Sequence, residues 1–453
     1  MKVKTRFVCS ECAAIFSQWA GQCTQCGAWN AVTEEGSSRP GSTSKTGRRV
    51  GNYANERSKV TLIEDVTVEK TVRMDVGLSE LNRVLGGGLV DGSVVLVGGD
   101  PGIGKSTLLL QAMAHLSLNN AVLYVTGEES LQQVAMRAKR LQLPQKNIRL
   151  VAETQVETIL EHAGVERPRV IVIDSVQTIF TESLSSAPGG VSQVRESAAL
   201  LVRFAKMTQT AIFLVGHVTK DGSLAGPRVL EHMVDSVLYF EGQSDSRFRV
   251  IRAIKNRFGA ANELGVFAMT DRGLKEVANP SAIFLSRTLE PTSGNVVMVT
   301  WEGSRPMLVD IQALVNESHG SQSRRVIAGL ENNRMAILLA VLDRHGGVVT
   351  YDQDVFINVV GGIKVADTGS DLALIAAVVS SLRDRVFDRD TVIFGEVGLA
   401  GEIRPVQSGQ ERLKEAVKHG FKRAIVPYGN APKQAMGIEI QAVKNIQDVL
   451  LLI

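Results

Sequence analysis

The chain has 453 residues, 44% of them apolar, and a formal net charge of +3. That length exceeds what one hydrophobic core organises, so two or three domains are expected. The near-neutral balance excludes nucleic-acid binding driven by bulk charge, so any such surface has to be local. No apolar run reaches the roughly 20 residues of a membrane helix. The basic start Met1–Arg6 leads into Cys9 without the apolar stretch of a secretory signal. A cytoplasmic protein with no membrane partner is expected.

All four cysteines, Cys9, Cys12, Cys23 and Cys26, fall within eighteen residues in the spacing C-x2-C-x10-C-x2-C. Two such pairs can converge on Zn2+ as a tetrahedral four-thiolate site, with Gly21 and Gly27 easing the turns. Four protein ligands close the coordination sphere, so the zinc is expected to be structural and residues 1–35 to form a small zinc finger. Disulfides would need an oxidising compartment. Residues 36–59 lose their apolar content and read as a flexible linker, basic through Arg39, Lys45, Arg48, Arg49, Arg57 and Lys59.

From about residue 60 to 277, apolar runs alternate with helical patterns. Strands are expected at Ser93–Val97, Val122–Thr126, Arg149–Ala152, Val170–Asp174 and Ala211–Gly216, with helices at Ser106–Leu118, Leu131–Leu141 and Val191–Thr208. Continuous apolar strands between helices imply a parallel sheet covered on both faces. Val237–Glu241 and Arg247–Ile254 read as an added hairpin.

After the first of these strands comes Gly99-Asp100-Pro101-Gly102-Ile103-Gly104-Lys105-Ser106, followed by Thr107. A strand, a Gly-rich turn and a helix start together build a cradle for the triphosphate of ATP. The glycines let backbone N–H groups approach the phosphates, Lys105 can neutralise the β and γ oxygens, and the Ser106 hydroxyl can hold Mg2+. Asp174 ends a buried strand and can accept hydrogen bonds from Mg2+-bound water. Glu128 and Glu129 follow another; a carboxylate there can orient or deprotonate the attacking water. Neighbouring residues of an extended segment point apart, and Glu128 is favoured over Glu129, which suits the start of the next helix. His217 reads either as a γ-phosphate sensor or as a strand-end histidine satisfied by its neighbours.

The order of Lys105, Glu128 and Asp174 resembles that of the RecA-like ATPases. Lys255-Asn256-Arg257-Phe258-Gly259, with the four-cysteine start, is similar to the RadA (Sms) family of bacterial recombination and repair ATPases over essentially the whole chain. That resemblance implies a RecA-like phosphate-loop core of α/β class, with an N-terminal zinc finger and a C-terminal Lon-protease-like domain. It implies a homo-oligomeric ring, a hexamer, in which Lys255 and Arg257 reach a neighbour's γ-phosphate from an exposed hairpin. It also places DNA-facing loops at Phe180–Val194 and His217–Val229, where Lys220 and Arg228, besides Lys255 and Arg257, are the phosphate-contact candidates.

Residues 278–453 read as a second α/β unit, with helices at Glu331–Leu342, Asp371–Leu382 and Gln410–His419 and strands at Val296–Trp301, Val355–Val360, Thr391–Phe394 and Ala424–Val426. Asp367-Thr368-Gly369-Ser370 and the segment Gly395–Pro405 are similar to Lon proteolytic domains. Gln410 stands where Lon carries its base, and an amide cannot take the Ser370 proton. Lys414 lies one helical turn on, on the same face but about 6 Å further along, and is the alternative base; the site reads as degenerate and the domain as an assembly scaffold. The expected function is a DNA-dependent ATPase that binds single-stranded and branched DNA and extends recombination intermediates with RecA. A Lon-type protease and a nucleotide-driven switch of the circadian-clock ATPase type are the competing readings.

Overall fold

The computed structural model describes parts of residues 6–35, then 62–65, 72–217, 227–241, 247–285, 290–320 and 322–453. The chain divides into two compact units, Met1–Asn52 and Tyr53–Ile453. In the first, Arg6–Cys9 is the central strand of three, flanked by Ile15–Phe16 and Val32–Glu35.

Among the described residues, the second unit is built on two large sheets. The larger has nine strands: β1 (Val94–Gly98), β2 (Val122–Thr126), β3 (Ile148–Ala152), β4 (Val170–Asp174), β5 (Ala211–Val215), β6 (Ser236–Glu241), β7 (Phe248–Asn256), β8 (Leu264–Thr270) and β9 (Gly273–Glu276). Their spatial order is β9-β8-β7-β6-β1-β5-β4-β2-β3. From β6 to β3 every pairing is parallel, whereas β6 to β9 form an antiparallel extension. Strands β1, β2, β4 and β5 are buried at every residue, because helices cover both faces. Each Val, Leu or Ile so buried contributes about 1.5–3 kcal/mol of transfer free energy. The helix after β2 begins at Leu131 because Ser130 and Gln133 form a reciprocal capping box.

The expected parallel strands are present, shifted by a residue at some ends. The hairpin differs more. Strand β7 runs on to Asn256, so Lys255 lies inside a strand rather than on the turn beyond it, and β8 and β9 extend the ribbon. Polar residues alternate into β7 and blur its apolar signature, which is why the expected strand stops at Ile254; β9 is too short to stand out, and β8, though apolar, lies outside the expected hairpin.

Residues of β7 alternate between two cores. Ile251 and Ala253 pack with the phosphate-loop helix Lys105–Leu116, whereas Val250 joins Leu264, Val266, Met298 and Leu338. The sheet of the C-terminal part has seven strands and centres on the pair Asn295–Glu302 and Arg305–Glu317. Arg305–Glu317, Arg325–Ala328 and Glu439–Val443 are strands the sequence pattern did not reveal. Two ionic clusters tie the sheets together. Arg305 forms a two-bond pair with Glu80 at 2.9 and 3.1 Å. Arg252 reaches Glu241 at 2.6 Å, Glu302 at 2.7 Å and the Lys364 carbonyl at 2.8 Å. Burial pushes the Glu302 carboxyl up, and the Arg252 charge opposes that shift.

Candidate nucleotide site and its surroundings

Residues 99–104 leave β1 at its C-terminal end and deliver the chain into the helix Lys105–Leu116. Gly104 is left-handed, at φ 118°, and a Cβ there would stand 2.9 Å from Met269 Cε. Gly99, at φ 145°, has Phe240 Cβ at 2.8 Å from the same imagined atom. The loop therefore needs glycine for conformation and for the close approach of β6 and β8. Its outer part, Gly102, has nothing within 4 Å of such a Cβ.

Lys105 is 3% exposed. Its ammonium donates to the carbonyls of Gly99 at 2.8 Å and Asp100 at 2.9 Å. Burial lowers its pKa to about 8, against the opposing charges of Asp174, Asp100 and Glu128. Those three carboxylates register on one ammonium because the ends of β1, β2 and β4 converge. Asp174 is buried at the end of β4 and accepts the Tyr124 hydroxyl at 2.5 Å. Burial, then the Asp174 charge, holds the Tyr124 phenol well above its usual range.

The two adjacent acids part company. Glu129 is ion-paired to Arg137 on the following helix, and its backbone is tied to the Thr126 hydroxyl. Glu128 turns to the sheet edge, where its Oε1 meets the Ser175 hydroxyl at 2.5 Å and His217 Nε2 at 3.2 Å. His217 thus sits against a carboxylate, one residue beyond Gly216, which donates to the Val97 carbonyl of β1 at 2.9 Å.

Sequence reasoning missed Arg249. Its Nε–H, buried on β7, donates to the Ile103 carbonyl in the phosphate loop at 2.9 Å. A buried arginine in a strand carries no motif, so only strand order could reveal it.

Lys255 and Arg257 lie at the other end of the sheet. The Arg257 backbone N–H donates to the Asp235 carbonyl at 3.1 Å, and the Val94 N–H donates to the Asp235 carboxylate at 2.9 Å. Arg257 therefore stands by the first residue of β1, about 16 Å along the strand from Gly99, where the chain's own phosphate loop begins, whereas the Lys255 backbone pairs with Val237, itself opposite Leu96 of β1. Lys255 donates to the carbonyls of Glu231 at 2.7 Å and Val234 at 2.8 Å, and burial, then Arg257, lowers its pKa. Arg257 is 58% exposed and holds Asp235 at 3.3 Å.

Phe180 is pinned through its backbone to Thr154 and Val156, at 2.9 Å each, and the helix expected to follow its loop begins at Val191. Arg228 belongs to the short helix Pro227–Glu231, and its side chain lies outside the described residues, as does Lys220. Cys23 is buried and Cys9 ends a strand, while Cys12, Cys26 and residues 36–59 lie outside the described residues.

In the C-terminal part, Ser370 is 3% exposed and donates to the Asp367 carbonyl at 2.8 Å. Gln410 donates to the Asn430 carbonyl at 3.1 Å, and Lys414 is exposed. Asp367 is held by buried Arg412 at 2.6 Å and by the Trp301 N–H at 2.9 Å. No described helix is long and apolar enough to cross a membrane.

Three stretches match known family models: residues 57–223 an AAA domain, residues 7–34 a rubredoxin metal-binding domain, and residues 300–430 the ChlI subunit of Mg-chelatase. The chain is 64% identical to the DNA repair protein RadA of Pseudomonas aeruginosa, over 99% of this chain and 98% of that one. It is 57% identical to the Escherichia coli protein of the same name, and 44% to that of Bacillus subtilis, each over 99% of this chain and 98% of the relative. With a phosphate loop seated between parallel strands, a metal-binding N-terminal module and full-length identity at this level, the chain belongs to the RadA family of DNA repair proteins.

Proposed function

We propose that this chain is a DNA-dependent ATPase of DNA repair and recombination. It acts on single-stranded and branched DNA, promotes branch migration beside a RecA recombinase, and works as a cytoplasmic ring of six copies. The observation that carries the ATPase reading is the convergence of Lys105, Asp174 and Glu128 at one end of the parallel sheet. Lys105 receives the β and γ phosphates together with the loop N–H groups. Glu128 orients the attacking water and takes its proton.

Mg2+, when bound, neutralises phosphate charge. The donors beside the loop suit it: the Ser106 hydroxyl at the helix start, and a buried Asp174 with one oxygen committed to Tyr124. Zinc belongs to the thiolates of Cys9, Cys12, Cys23 and Cys26, where the metal-binding family model matches.

Lys255 and Arg257 act in trans. Their side chains are held at the end of the sheet remote from their own loop, and Arg257, more than half exposed beside its partner Asp235, can turn to a neighbour's γ-phosphate in a ring. The relatives' name supports the DNA repair reading; recombination, the DNA contacts and the ring rest on family resemblance. The protease reading is disfavoured by Ser370, whose hydroxyl is spent on the Asp367 carbonyl. We take the domains to be residues 1–35, 36–59, 60–277 and 278–453, the last a non-proteolytic scaffold packed on β7 and β8.

ATP turnover measured with and without single-stranded DNA tests the function. Turnover stimulated by DNA is expected. An unstimulated rate would sink the DNA-dependent reading, and casein cleavage would revive the protease.

A further inference from the structure

Ser175 follows Asp174 directly and is fully buried. Its hydroxyl donates to Glu128 Oε1 at 2.5 Å. The surrounding backbone is arranged so that this contact has little freedom. The Gly127 N–H donates to the Asp174 carbonyl at 2.8 Å, joining the ends of β2 and β4. A Cβ on Gly127 would stand 2.1 Å from Thr178 Oγ1, so only glycine lets the two segments approach this closely. Thr178 in turn donates its hydroxyl to the Ser175 carbonyl at 2.8 Å, fixing the turn that carries Ser175. Glu128 itself is 41% exposed at its side chain, so solvent does not hold it in one rotamer. Its Oε1 carries both the Ser175 and the His217 contacts, and no contact of its Oε2 is among the hydrogen bonds of the described residues.

We propose that Ser175 is a positioning residue for the catalytic carboxylate. By holding Oε1 it aims the other oxygen of Glu128 away from the sheet, toward the space in front of the phosphate loop. This rests on the ATPase reading above and adds to it a residue that touches neither nucleotide nor water. A hydroxyl donating to a carboxylate is a charge-assisted bond, and its loss frees the rotamers of a partly exposed side chain.

The test is Ser175→Ala in the full-length chain, with ATP turnover and binding of a fluorescent ATP analogue measured side by side. Turnover is expected to fall on the order of 10-fold, with KM and nucleotide affinity unchanged. The residual turnover of Glu128→Gln is expected not to fall further when Ser175→Ala is added, because the serine acts only through that carboxylate. Ser175→Cys, a weaker donor of similar size, is expected to lie between the wild type and Ser175→Ala. Unchanged kcat in Ser175→Ala overturns the proposal. So does loss of nucleotide binding along with turnover, which would make the serine structural, and so does an additive loss in the double variant. A wild-type chain without ATP turnover overturns the ATPase reading itself, and this proposal with it.

Discussion

Arg249 donates its Nε–H to the carbonyl of Ile103 at 2.9 Å, so a strand outside the parallel core holds the phosphate loop from behind. Removing the guanidinium strands a loop carbonyl and takes a buried charge from between β7 and the loop. Arg249→Met is expected to destabilise the fold by about 1–3 kcal/mol. ATP affinity is expected to fall as well, because the cradle is no longer preorganised. Thermal unfolding with and without ATP checks both. A variant that melts lower yet binds ATP as the wild type does would limit Arg249 to a packing role.

Lys105 gives a pH dependence with a defined sign. Its pKa is lowered to about 8, below the ordinary lysine value, so the unfolded chain keeps the proton over a range in which the folded chain has lost it. Stability from this group therefore rises with pH from about 8 toward the usual lysine range, and below 8 its burial cost is present in full. Nucleotide binding runs the other way, since phosphate needs the ammonium. ATP affinity is expected to weaken above pH 8 by up to about tenfold per pH unit. Lys105→Ala abolishes turnover, binds ATP far more weakly and loses this pH dependence. A wild-type affinity flat from pH 7 to roughly 9.5 would contradict the assignment.

The two acids after β2 separate in a variant pair. Glu128→Gln is expected to bind ATP and hydrolyse it poorly, because an amide cannot accept the proton of water. Glu129→Gln loses its ion pair with Arg137 and is expected to keep its rate. Single-turnover kinetics decide, and a dead Glu129→Gln with an active Glu128→Gln reverses the assignment.

Arg257 is the cleaner probe of action in trans. Lys255→Ala also leaves the Glu231 and Val234 carbonyls without their donor, whereas Arg257 is mostly exposed. Both variants are expected to lose turnover and keep nucleotide binding. Mixing either with Lys105→Ala chains is expected to restore part of the rate, because some interfaces then pair an intact Lys105 with an intact neighbour. Mixed rings that form without regaining activity would leave Arg257 a DNA contact only.

One zinc per chain is expected by metal analysis of protein purified without chelator. Cys23→Ser is expected to release it and unfold the small module, since Cys23 is buried there. ATP binding by the remainder is expected to persist, and its loss would show that the module supports the nucleotide site.

Much of this molecule was legible in the order of its residues. The phosphate loop, the strand-ending Asp174 and the four cysteines are local patterns whose chemistry demands those residues at those spacings. The buried strands β1, β2, β4 and β5 announced themselves because each is a continuous apolar run up to its last residue, as a sheet covered on both faces requires. The rest was decided by pairings between distant segments. Glu128 and Glu129 are neighbours with the same chemistry; the sequence favoured Glu128 from the alternation of an extended segment, but their surroundings, Ser175 beside Glu128 and Arg137 beside Glu129, came only from the fold. Arg249 and Arg252 look like surface charges in a strand of mixed polarity, until β7 is seen to lie between two cores, one arginine reaching Ile103 and the other Glu302. Lys255 and Lys105 are 150 residues apart in sequence. That their ammonium groups are held at opposite ends of one sheet follows from the parallel pairing of β6 with β1 and the antiparallel pairing of β7 with β6, long-range registers that no local run of residues encodes.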